Sequence, residues 1–264
     1  MHTVYITWDI DPTIIDIGGF QLRWYGVLFA ASFFFGYLLL DRMFRREEQD
    51  KKLLDKLILY MGIGTLTGAR LGHCFLYQPY YYMQHPFEIL MLWKGGLASH
   101  GSAIGILAAL LVFSLIEKIN YLWILDRMIV AVALSGVMIR LGNFTNSELL
   151  GKPTEVPWAF VFPKVDMVPR HPAQLYEALA YLIVLGLLLW LYYKRNTGSI
   201  KGLLFGIFLI TIFGFRIFIE IYKEVQVKEE EHLLMNFGQL YSIPFVIAGI
   251  VLIIISLARK RAVK

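Results

Sequence analysis

The 264-residue chain is 58% hydrophobic and only 17% charged. A soluble domain of this size carries about a quarter charged residues, so neither a soluble globular nor a disordered protein fits. The formal net charge of +5 invites a nucleic-acid reading, but the basic residues gather in short segments between apolar runs, and no basic helix face interleaved with aromatics stands out; no nucleic-acid partner is expected.

Residues 1–22 hold acids, Pro12 and the Gly18-Gly19 pair, without a basic start followed by an apolar core, and do not read as a cleavable signal peptide. Apolar runs near the ~20 residues needed to cross a bilayer then predict spans at 24–41, 57–77, 96–116, 124–144, 172–192, 203–221 and 239–257. The expected fold is all-α: one polytopic integral-membrane domain over 1–264 with about seven transmembrane helices. Cys74, the only cysteine, rules out an intramolecular disulfide and a cysteine metal cluster, and within its apolar run reads as a small buried hydrophobe.

Charge orients the spans. Fourteen basic residues lie on one set of connections: Arg42, Arg45, Arg46, Lys51, Lys52, Lys56, Lys118, Lys194, Arg195, Lys201, Arg259, Lys260, Arg261 and Lys264. The other set holds seven: Arg23, Lys94, Lys152, Lys164, Arg170, Lys223 and Lys228. By the positive-inside rule the C-terminus is cytoplasmic and the N-terminus outside. The long outer connection 145–171 carries four of the nine prolines, with Pro172 just after it, together with Trp158, Phe160 and Phe162, and reads as an ordered cap on the outer leaflet. Gly64, Gly68 and Gly72, Gly101 with Gly105, and Gly202 with Gly206 recur at four-residue spacing, which permits close helix contact in lipid.

This orientation gathers polar residues in the outer half. Arg70, Arg140 and Arg216 fall late in outward-running spans, His100 and His171 stand at the outer ends of inward-running ones, and Tyr25 opens the first span on the same side. Arg140 is the most informative. The run from Ile124 reaches it after about 24 Å of helix, and an arginine buried there costs at least ~2.5–3.5 kcal/mol on insertion scales, so it marks a functional site by default. Its own span offers no acid within a turn of it, whereas Arg216 and Glu220 sit one turn apart and can pair by themselves. Arg70 is open to either a packing or a functional role. His100 follows a glycine-rich helix start, where unpaired N–H groups favour anions and Gly101 would let a substrate approach. Asn143, Asn146 and Glu148 close the fourth span and beside Arg140 make a hydrogen-bonding pocket. Asp126 and Arg127 read as a local pair on the inner rim. No HExxH, paired-carboxylate or Cys/His ligand spacing appears, and no GxSxG elbow. Neither a metal nor a cofactor is expected, and what remains is a cationic outer-leaflet site able to hold a phospholipid phosphate.

These residues resemble the bacterial phosphatidylglycerol–prolipoprotein diacylglyceryl transferases. That family's signature is close to G-R-x-G-N-F-(apolar)-N-x-E-x-x-G, and residues 139–151 read IRLGNFTNSELLG. RWYG at 23–26, GGLASHG at 95–101, RHPAQLYE at 170–177, FGFRIFIE at 213–220 and GQLYSIP at 238–244 match in order. Four positions depart: Ile139 for the signature glycine, Thr145 for an apolar residue, Ser102 for a frequent glycine, and Lys223 for a second arginine. Lysine keeps that charge without the two-pronged fork. The resemblance implies transfer of a diacylglyceryl group from phosphatidylglycerol to the lipobox cysteine of a prolipoprotein signal peptide, in the bacterial cytoplasmic (inner) membrane. It further implies Arg140 and Arg216 on the phosphate and His100 as base or orienter. Tyr25, Asn143, Asn146, Glu148, Gly151, His171 and Glu220 would shape the substrate pocket. The alternative is a seven-span anion or lipid transporter, or a lipid-binding receptor, using the same cationic cavity.

Overall fold

The computed structural model describes residues 5–91, 95–195, 197–224 and 234–262. Lys94, Lys228 and Lys264 of the charge count lie outside the described residues. A long helix stands at each of the seven expected places: α1 Trp24–Arg46, α2 Lys51–Gly72, α4 Ser99–Ile116, α5 Tyr121–Thr145, α6 Ala173–Lys194, α7 Leu203–Ile219 and α8 Phe237–Ala262, with a short α3, Pro79–Gln84, after α2. Among the described residues, five helical stretches are long and apolar enough to cross a membrane: α1, α5, α6, Leu203–Tyr222 and α8. α2 opens with Lys51, Lys52, Asp55 and Lys56, and α4 is apolar but shorter. The protein is therefore mostly helical and polytopic.

Short strands accompany the helices, which the all-α expectation lacks: β1 Ile6–Thr7, β2 Thr13–Ile17, β3 Phe20–Arg23, β4 Phe160–Val161 and β5 Pro169–Arg170. β2 and β3 form an antiparallel hairpin whose turn, Gly18-Gly19, takes left-handed φ values of 58° and 92°, as two-residue hairpin turns require. β1 pairs parallel to β4, and β4 antiparallel to β5. The 145–171 connection is thus ordered around a three-stranded sheet. Trp8 fastens it, donating from Nε1 to the Phe144 carbonyl at 2.9 Å and packing with Phe160 in the cluster of Phe144, Leu150 and Phe162.

The chain divides into two compact units, residues 1–39 with 125–264, and residues 40–124. In the smaller unit α2 and α4 cross on their glycines: a Cβ on Gly64 would stand 2.6 Å from the Gly105 carbonyl oxygen, and one on Gly72 2.6 Å from the Gly101 Cα. The spacing seen in sequence is a helix contact. Cys74 is buried there with a free thiol. In the larger unit Gly206 meets Gly249 of α8, whereas Gly202 serves the turn before α7 with φ 88°. Asp126 and Arg127 are more than a local pair. The Asp126 carboxylate accepts from the Gly202 and Phe205 amides at 2.6 and 2.8 Å, capping α7 from α5, and Arg127 donates to the Gly198 carbonyl at 3.0 Å. Unpaired amides at the start of a helix need such an acceptor.

Candidate active site

The end of α5 builds the centre. Arg140 and Asn143 stand in its last turns and Asn146 just past its end, at three-residue spacing, and left-handed Ser147 and Leu149 (φ 55° and 56°) fold the exiting chain back. This brings Glu148 beneath the helix, where its two oxygens accept from Asn143 Nδ2 at 3.2 Å and Asn146 Nδ2 at 3.0 Å. Asn143 Oδ1 in turn accepts from Arg140 at 3.4 Å. Among the described residues Asn146 Oδ1 is buried with no hydrogen-bond partner, an acceptor in want of a donor. Tyr25, half-buried at the start of α1, lays its ring on Gly142, where a Cβ would come within 2.7 Å of it.

Arg140 has an acid after all, on a different helix. Its Nε stands 3.1 Å from Oε2 of Glu177, a buried residue of α6. Arg216 Nε approaches Glu220 Oε1 at 3.5 Å, as the one-turn spacing predicts. That pair is not self-contained, because Glu220 also accepts from Lys223 at 3.0 Å and from Asn236 at 3.3 Å. Arg140, Glu177, Tyr181 and Arg216 form the polar end of a cavity of about 190 Å³ between α5, α6 and α7, whose other walls include Val132, Phe208, Ile212 and Phe215. A cationic end and apolar walls suit an amphiphile with an anionic head.

Gly151, His171 and the end of α7 are sewn together by backbone. The Gly151 amide donates to the His171 carbonyl at 3.1 Å, the Lys152 amide to Tyr222 at 2.8 Å and the Glu224 amide to Leu150 at 3.2 Å. Arg170 locks this strip through Asp166 (2.5 Å), Glu224 (3.0 Å) and the Gly151 carbonyl (3.3 Å). Hydrogen bonding to Arg170 holds the Asp166 carboxyl below the usual range and pushes the guanidinium up. Burial lowers His171, keeping it neutral near pH 7. Trp158 Nε1 donates to the Tyr176 hydroxyl at 2.7 Å, and that hydroxyl lies within hydrogen-bond distance of His171 Nδ1, 3.2 Å away. These groups stand at the polar end of a larger apolar groove, about 630 Å³, along α6 and α7.

The larger unit therefore gathers Tyr25, Arg140, Asn143, Asn146, Glu148, Gly151, His171, Arg216 and Glu220. His100 is not in this group: it belongs to the smaller unit, exposed in the first turn of α4 after an N-cap, Ala98, that has no capping oxygen. Gly101 beside it serves the crossing with α2, since a Cβ there would stand 2.8 Å from the Gly72 Cα, so its role is packing rather than room for substrate. Arg70 resolves to structure. It is buried, and its guanidinium is consumed by the carbonyls of Glu88, Ile89, Gly95 and Gly96. Glu177 is what the sequence reading missed, although an acid five residues into an apolar helix is itself a signal.

A family model described as prolipoprotein diacylglyceryl transferase matches residues 12–255. The chain belongs to the prolipoprotein diacylglyceryl transferase family. Among its relatives, the phosphatidylglycerol–prolipoprotein diacylglyceryl transferase of Tolumonas auensis is 47% identical over 255 residues, covering 96% of this chain and 98% of the relative. The proteins of the same name from Chloroherpeton thalassium and Porphyromonas gingivalis are each 44% identical, covering 98% and 95% of this chain and 97% and 94% of their own. Membership makes the chain a transferase of lipoprotein maturation and sets aside the transporter or receptor reading.

Proposed function

We propose that this enzyme transfers the sn-1,2-diacylglyceryl group of phosphatidylglycerol to the lipobox cysteine thiol of prolipoprotein signal peptides, with Arg140 and Arg216 as the phosphate-handling residues. The observation that carries the site assignment is the pairing of these two arginines at the polar end of one apolar-walled cavity. In the reaction a sulfur–carbon bond forms and the carbon–oxygen bond to phosphate breaks. The thiol proton passes to a base, and the electron pair leaves on the phosphate oxygen of glycerol 1-phosphate. The phosphate thus goes from a singly charged diester towards a doubly charged monoester, and preorganised guanidinium groups stabilise the growing charge. A free thiol has pKa ≈ 8.5, so a base or a cationic field must raise its thiolate fraction; His100 takes the part of base or orienter. Asn143, Asn146 and Glu148 line the headgroup side, where the unpartnered Asn146 Oδ1 suits a glycerol hydroxyl. Tyr25, Gly151, His171 and Glu220 complete the pocket.

The whole chain acts as one integral-membrane domain of the bacterial cytoplasmic (inner) membrane, with α2 and α4 as its second and third spans, making seven in all. Its C-terminus is cytoplasmic and the 145–171 connection a periplasmic cap, as the excess of basic residues on the opposite connections supports. Incubating the purified protein with labelled phosphatidylglycerol and a lipobox peptide tests the activity. Label on the cysteine through a thioether, with release of glycerol 1-phosphate, is expected; binding of both without turnover contradicts it.

A further inference from the structure

The charges beside the cavity form one alternating chain. Arg140 Nε meets Glu177 Oε2 at 3.1 Å, and the other oxygen of Glu177 faces Lys223 Nζ at 3.7 Å. Lys223 Nζ lies 3.0 Å from Glu220 Oε1, which Arg216 Nε approaches at 3.5 Å. Lys223 is the enclosed member. Its side chain is 4% exposed, between carboxylates 5% and 9% exposed, while Arg216 is 42% exposed. It is not among the residues lining the cavity. Its backbone is fixed from both sides, by its own amide on the Glu220 carbonyl at 3.3 Å and by a β-bridge to Gly151. An ammonium so placed addresses two carboxylates rather than a lipid headgroup.

The charge balance gives this placement a purpose. Three cations face two buried carboxylates, a surplus of one positive charge, which a phosphodiester matches. Without the lysine, two arginines and two carboxylates cancel, and each guanidinium is held by its acid. Buried carboxylates must be compensated by something, and here the compensating group is one the substrate does not reach. We infer that Lys223 is a positioning residue for the transfer, a buried strut that neutralises Glu177 and Glu220 so that Arg140 and Arg216 keep their charge for the substrate phosphate. The inference rests on the assignment of those arginines to the phosphate. A bidentate arginine at this position would do the same work, so lysine here is a substitution of means.

The test is turnover of purified variants in phosphatidylglycerol vesicles with a labelled lipobox peptide, with thermal stability measured alongside. Lys223→Met, of similar volume, should lower kcat/KM about 100-fold, whereas Lys223→Arg should stay within about threefold because the charge and the bridge are both restored. Removing one carboxylate as well, in Glu220→Gln/Lys223→Met, returns the surplus of one charge and should recover at least about tenfold over the single variant, a non-additivity that packing alone does not produce. Near-normal turnover of Lys223→Met overturns the strut. If Lys223→Met is too unstable to assay, the double variant decides: recovery supports the strut and no recovery overturns it. Arg216→Gln run in parallel separates the two ideas. An inactive Arg216→Gln beside an active Lys223→Met defeats the strut alone, and activity in both defeats the phosphate assignment too.

Discussion

Arg140 can sit in an apolar helix because its counter-ion comes from elsewhere: Glu177 of α6 lies 3.1 Å from it. A charge in hydrocarbon is tolerated when it faces the protein interior and meets a partner, and within-helix spacing cannot reveal a partner on another helix. Arg216–Glu220 was legible for the opposite reason, since four residues on one helix are neighbours in space. Lys223 was legible as an oddity and only geometry gives it work. His100 carries the residue-scale prediction. If it accepts the thiol proton, His100→Gln should still bind phosphatidylglycerol but lose about 10²–10⁴ in rate, measured by vesicle binding and single-turnover kinetics. A glutamine variant that keeps most of its rate makes His100 an orienting group and leaves thiolate formation to the arginines.

Among elements, the long helices were readable in place, with ends off by as much as five or six residues at α1, α2 and α8, because apolar runs near bilayer length have few alternative uses. The strands were not. β1, β4 and β5 are two residues each, too short for any alternation to register, and β1 meets β4 from the far end of the sequence. The α2–α4 glycines announced a contact without naming the partner helix, and Asp126 and Arg127 concealed their role because the amide and carbonyl they serve lie some seventy residues away. The clasp made by Asp166, Arg170 and Glu224 yields a prediction in pH. Arg170 depresses the folded-state ionisation of Asp166, so the pair stabilises above the ordinary aspartate value of about 3.9 and fades as pH falls through the lower folded value. Asp166 is partly exposed, which holds its worth to about 1 kcal/mol or less. Asp166→Asn should therefore speed amide exchange at Thr154 and His171 by up to about fivefold at pH 7, with the difference closing in acid; a difference that persists unchanged at low pH contradicts the clasp.

At the scale of the whole molecule, composition and apolar runs alone point to a polytopic helical protein, and the match over residues 12–255 makes it a prolipoprotein diacylglyceryl transferase. The candidate site residues that the larger unit brings together were named in the sequence, carried by 139–151 and the blocks that match in order. Their mutual placement was not, because α1, α5, α6, α7 and the returning strip at 150–152 all contribute, and long-range packing leaves no periodic trace. In the proposed reaction, guanidinium geometry at Arg140 carries phosphate handling. Turnover of Arg140→Lys, which keeps the charge and loses the two-pronged fork, tests it most directly. The expected result is a fall of at least ~100-fold, about 3 kcal/mol of transition-state stabilisation, with membrane yield and thermal stability little changed. A lysine variant turning over at a near-normal rate would contradict it.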